Sequence, residues 1–148
     1  MAIIPQMQLF SWEAVQPLGE LERLQLVLDT LPDEPLIRLL ENVRGRGRNE
    51  YPVRAMWNAL LAGVVFQHPT IESLRRELNR NGQLRALVGL GGRAPSAWAF
   101  TRFLHQLLRH QDALEAMIHQ IIEALPQGLP HFGERLAIDS KAIASFAK

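Results

Sequence analysis

Pro52-Val-Arg-Ala-Met-Trp-Asn-Ala-Leu-Leu-Ala-Gly-Val-Val65 is the stretch that decides the fold class. Its proline suits the first turn of a helix, where a backbone N–H has no partner to lose. Val53, Met56, Trp57, Leu60, Leu61, Val64 and Val65 then return at steps of three and four, the period of an α-helix and not the alternation of a strand. His68-Pro69 ends the segment. A helix this apolar is expected at the centre of an all-α domain, with Met56 and Trp57 in its core.

Upstream, Leu18, Leu21, Leu24, Leu28 and Leu31 form a helical stripe with acids in its early turns and Pro32 beyond it. Pro35 to about Val43 reads as a shorter helix, with Leu36, Leu39, Leu40 and Val43 on one side. Arg44-Gly-Arg-Gly-Arg-Asn49 breaks the pattern. Its arginines, Arg44, Arg46 and Arg48, either fold onto a phosphate backbone or stay hydrated.

Downstream, Thr70 is a good N-cap for a short basic helix that carries Ile71, Leu74 and Leu78 on one face and Arg75, Arg76 and Arg80 on or beside the other. Asn79 to Gly82 ends it, and another turn or two follows over Gln83 to Val88. A glycine-rich loop then spans Gly89 to Pro95. Three short elements in succession suggest a helix-turn-helix-like arrangement. Ser96 caps a helix to about His110, with Ala97, Phe100, Leu104, Leu107 and Leu108 as the expected buried stripe. Trp98, Arg102, His105 and Arg109 lie four, three and four apart on the opposite side, which makes this the best recognition-helix candidate. The alternative is that Trp98 packs into a neighbouring helix and the others are simply solvated. Asp112 is expected to cap a last helix bearing Leu114, Met117, Ile118, Ile121, Ile122 and Leu125, before a break at Pro126, Gly128 and Pro130.

The whole chain has 148 residues, 47% of them apolar, enough for one domain with a proper core. No window resembles a membrane span or a signal peptide, so a cytoplasmic location is expected. There is no cysteine, which excludes disulfides and thiolate zinc sites, and the five histidines lack metal-motif spacing. His105, His110, His119 and His131 are read as surface or packing residues. Phosphate-binding loops, dinucleotide fingerprints and nucleophile elbows are all missing.

A net charge of +1 conceals segregation. Residues 1–37 carry one basic and six acidic side chains, residues 38–109 twelve basic and four acidic, and residues 110–148 three basic and five acidic. The basic excess of the middle is all arginine, the side chain suited to two-pronged contacts with phosphates and guanine edges. Either a phosphate-rich partner or a solvated helical surface accounts for it.

Tyr51-Pro52-Val53-Arg54-Ala55-Met56, Thr70-Ile-Glu-Ser-Leu-Arg-Arg-Glu-Leu78, Leu87-Val-Gly-Leu90 and Pro95-Ser96-Ala-Trp-Ala-Phe-Thr101-Arg102-Phe103 follow one another over about residues 50–110. Leu136-Ala-Ile-Asp139-Ser-Lys141-Ala-Ile143 comes after them. In this order the motifs resemble the helical N-terminal domain of bacterial insertion-sequence DDE transposases of the InsH-like kind. The resemblance implies a helical domain over 1–125, a linker over 126–134, and over 135–148 the first strand of an RNase H-like core that breaks off just after its first acid. Asp139 then corresponds to the first acid of the DDE triad. The family chemistry uses two divalent cations, Mg2+ or Mn2+, held by several carboxylates. A fragment with Asp139 alone is expected to need no cofactor and to have no nuclease activity. Ser140 stands where an Asp-Gly-Lys pattern is commoner, and it lacks glycine's backbone freedom.

The resemblance further implies a nucleoid-associated protein that docks on double-stranded DNA at the element's terminal inverted repeats. Arg44, Arg46, Arg48, Arg75, Arg76 and Arg80 would contact phosphates, Trp98, Arg102, His105 and Arg109 would discriminate bases or groove shape, and Lys141 is either a phosphate contact of the complete enzyme or an ordinary strand-end lysine. A reading of another class makes the helices a multimerisation module, pairing with a second copy or with full-length transposase. A truncated inhibitor of that enzyme is a variant of it.

Overall fold

The computed structural model describes residues 19–45 and 50–128. All regular structure among them is helical: α1 (Gly19–Thr30), α2 (Glu34–Arg44), α3 (Val53–Val65), α4 (Ile71–Arg80), α5 (Gly82–Val88), α6 (Ala97–Leu108) and α7 (Gln111–Gly128). The strand expected within 135–148 lies outside the described residues.

α3 holds the central position and packs against α1, α2, α4 and α5. Its sequence explains why: two of its faces are apolar. Ala55, Met56, Ala59 and Ala62 enter one cluster with Leu24 of α1, Leu74 and Leu78 of α4, Leu84 and Val88 of α5, and Phe100 of α6. Val53 and Trp57 enter a second with Leu36, Ile37 and Leu40 of α2, Leu107 of α6 and Met117 of α7. Leu60 and Phe103 border both clusters and join them. The small residues on the first face let α4 come close. A Cβ placed on Gly63 would lie 3.1 Å from a Leu74 methyl.

Some members of the expected stripes are not buried. Val64 shares the face of Val53, Trp57 and Leu60 yet is 74% exposed. In α6 the buried residues are Ala99, Phe100 and Leu107, whereas Ala97 and Leu108 are exposed. The inward face is rotated toward Ala99 and Phe103 and away from the expected stripe.

The helix ends follow local hydrogen-bond chemistry. The Ser73 amide donates to Thr70 Oγ1 at 3.1 Å and the Thr70 amide to Ser73 Oγ at 3.3 Å, a reciprocal cap at the start of α4. Asn81 serves two helices. Its amide donates to the Glu77 carbonyl at 2.9 Å, and its side chain accepts from the Leu84 amide at 3.0 Å. Gly89, at φ 84°, closes α5 while the Leu90 amide reaches back to the Arg85 carbonyl at 2.9 Å and the Leu90 side chain enters the core. Ser96 Oγ accepts from the Ala99 amide at 3.1 Å and starts α6. α7 begins at Gln111, so Asp112 lies inside its first turn and does not cap it. The helix runs on through Pro126 to Gly128, where a missing N–H costs only one bond in the last turn.

Candidate nucleic-acid interface

α6 is an amphipathic helix whose two sides differ in kind. Phe100 and Leu107 anchor it inward, and the Ser96 cap fixes where it begins. Anchored this way, α6 turns Trp98, Arg102 and His105 outward, with Arg109 one residue past its end. All four are exposed, Trp98 to 67%. Trp98 does not pack into a neighbouring helix core. Among the described residues, neither Arg102 nor Arg109 has a carboxylate partner.

The other arginines are committed differently. Arg75 is drawn into the fold: its Nε donates to the Pro95 carbonyl at 2.9 Å and its Nη1 to Glu72 at 2.8 Å. It thereby ties α4 to the residue before the α6 cap. Arg80 pairs with Glu77 one turn back. Arg76, between them, is exposed and has no ion-pair partner among the described residues. Arg44 Nη1 donates to the Tyr51 carbonyl at 2.5 Å and so holds together the two ends of the arginine-glycine segment. Arg46, Arg48, Asp139 and Lys141 lie outside the described residues.

Three further groupings are not legible in the sequence pattern. Asp33, only 4% exposed, accepts from Arg54 Nη1 at 2.5 Å and from Trp57 Nε1 at 2.7 Å, while Arg54 Nη2 reaches Glu34 at 2.6 Å. This network locks the start of α2 onto α3 and places two carboxylates near the positive end of the α2 dipole. The signal for it was Trp57, since a buried indole N–H needs an acceptor. Arg93 pairs with Glu50 at 2.7 Å, and its hydrogen bonds to Glu50 and then Tyr51 raise its pKa above the ordinary arginine value. Arg85 caps α4 through the Leu78 and Asn79 carbonyls at 2.6 and 2.7 Å.

Among the described residues no three His, Asp or Glu side chains converge as a metal site, and no helix is long and apolar enough to cross a membrane. His68 Nε2 is buried without a hydrogen-bond partner there. The arrangement suits contact with a polyanion: an open helical face with an aromatic ring, an imidazole and two uncommitted guanidiniums.

A family model described as a transposase domain (DUF772) matches residues 10–106 of the chain. Neither a curated protein nor a solved structure gives a match.

Proposed function

Since the chain belongs to the transposase-domain (DUF772) family, we propose that its helical region is a double-stranded DNA-binding module that docks a transposase on the terminal inverted repeats of its element. The observation that carries this is the exposed α6 face, where Trp98, Arg102, His105 and Arg109 project together and both arginines lack acidic partners among the described residues. α4 packs against α6 and against α5. In a helix-turn-helix-like docking α6 enters a groove while Arg76 of the supporting helix reaches a phosphate. Asp139 would supply the first metal-binding acid of a DDE core, and Lys141 a phosphate contact beside it.

The test is titration of the full chain with duplexes carrying the inverted repeat or a shuffled sequence, each at several salt concentrations. Preference for the repeat that persists as salt rises is expected. Arg102→Ala should lower repeat binding about tenfold and shuffled binding much less, in line with roughly 1–3 kcal/mol per good base contact. Equal losses on both duplexes would remove base reading from α6.

A second reading is favoured by Leu108, Ile118 and Ile122, which are exposed apolar residues on α6 and α7. They give a multimerisation module a surface for a second copy or for full-length transposase. Sedimentation showing self-association without DNA affinity would put this reading first.

A further inference from the structure

α6 and α7 each leave an apolar edge open to solvent. On α6 it is Leu108, 64% exposed, with the half-buried Leu104 a turn before it. On α7 it is Ile118 and Ile122, 43% and 52% exposed. The charges beside these edges are of opposite sign, for α6 contains no acid and α7 no lysine or arginine. Arg102 and Arg109 flank Leu108, and Glu115 and Glu123 flank the isoleucines. Among the described residues none of the four is in an ion pair, although Glu115 accepts from the Gln111 side-chain amide at 2.6 Å. Within one chain α6 and α7 meet through Leu107 and Met117 instead, which leaves the complementary edges to another molecule.

The order of the stripes sets the direction of that contact. At about 100° per residue, and viewed from the N-terminus of each helix, the charged stripe lies clockwise of the apolar edge on α6 and again clockwise of it on α7. Two such helices side by side in parallel carry their charged stripes on opposite sides of the contact. Laid antiparallel, they carry both on the same side. The axial spacing agrees: Arg102 to Arg109 spans about 10 Å of helix rise and Glu115 to Glu123 about 12 Å. The antiparallel register that sets Arg102 against Glu123 and Arg109 against Glu115 brings Leu108 beside Ile118 and Leu104 beside Ile122.

We propose that the partner for this surface is a second copy of the chain, with α7 of each lying antiparallel on α6 of the other, so that a two-fold pair makes the contact twice. The inference gives a geometry to the multimerisation reading above and rests on it. Its consequence is regulatory. Arg102 and Arg109 belong also to the face read as DNA-binding, so pairing and DNA binding exclude each other.

The full chain is followed by sedimentation over a range of protein concentrations at low and high salt, with circular dichroism melts to confirm that each variant folds. A monomer–dimer equilibrium is expected, weakened about tenfold by high salt. Glu123→Arg and Arg102→Glu should each weaken pairing about tenfold or more, since each sets like charges opposite one another. The two together should restore it to within about threefold. Ile122→Gln removes apolar contact without changing charge and should also weaken pairing. Excess shuffled duplex should split the wild-type pair. Association that ignores both charge reversals overturns this geometry and leaves the multimerisation reading standing, as does a double variant no better than either single one. A pair that persists in excess duplex overturns the exclusion. A chain that stays monomeric at every concentration overturns both the geometry and the multimerisation reading.

Discussion

Asp33 shows what a single residue does for the helix that follows it. Its carboxylate is almost wholly removed from water and is acceptable only because Arg54 and Trp57 donate to its two oxygens. Trp57→Phe keeps an aromatic ring in the second core but strips one donor from a buried acceptor. We expect it to cost about 1–3 kcal/mol in urea unfolding. Arg54→Met should cost a comparable amount, and the double variant less than the sum, since both act on one carboxylate. Additive losses would show that the two donors work independently. Arg75 provides the contrast with Arg102. The two carry the same charge, but Arg75 is spent on the Pro95 carbonyl and Glu72. Arg75→Ala is therefore expected to lower the melting temperature and leave preference for the repeat duplex unchanged, the reverse of Arg102→Ala.

The helices place the site through their ends. The start of α6 depends on one hydroxyl, Ser96 Oγ, accepting from the Ala99 amide. Ser96→Ala should cost about 1 kcal/mol of stability, seen as a lower denaturation midpoint at unchanged slope. Gly89 holds a left-handed conformation at the end of α5, so Gly89→Ala should cost about 1–2 kcal/mol, although the added methyl would meet Ala55 only at an ordinary 3.7 Å. Such positions were readable from sequence because capping is local: Thr70 and Ser96 are small hydroxyl residues at the start of apolar periodicity, and both cap. Periodicity also put Trp98, Arg102, His105 and Arg109 on one face, and the structure exposes all four. What periodicity does not carry is which part of an apolar face is covered. Val64, Leu108, Ile118 and Ile122 fit their stripes and remain exposed, since a periodic stripe marks a face and not how far a neighbouring element covers it. The partners of Arg54, Arg75 and Arg93 were also hidden, since Asp33, the Pro95 carbonyl and Glu50 are 20 or more positions away in the chain.

For the whole molecule, a net charge of +1 provides no general attraction to DNA, so affinity must come from where the charges are left unpaired. Five arginines of the basic middle, Arg38, Arg54, Arg75, Arg80 and Arg93, face intrachain carboxylates. Among the described residues of that region, Arg85 is held by the Leu78 and Asn79 carbonyls, whereas Arg76, Arg102 and Arg109 have no such carboxylate partner; Arg76 stands on α4, Arg102 on α6, which packs against it, and Arg109 directly after α6. The prediction concerns ion release. Each arginine seated on a phosphate contributes a slope of about −0.9 to the plot of log affinity against log salt concentration. Replacing Arg76 or Arg109 by alanine should each make the slope on shuffled duplex shallower by about one. Arg75→Ala should leave it unchanged, because that guanidinium already has its anion. If all three variants moved the slope alike, the intrachain pairs would have to open on binding. DNA would then be reading the total arginine content of the middle region and not the face that α4 and α6 leave uncommitted.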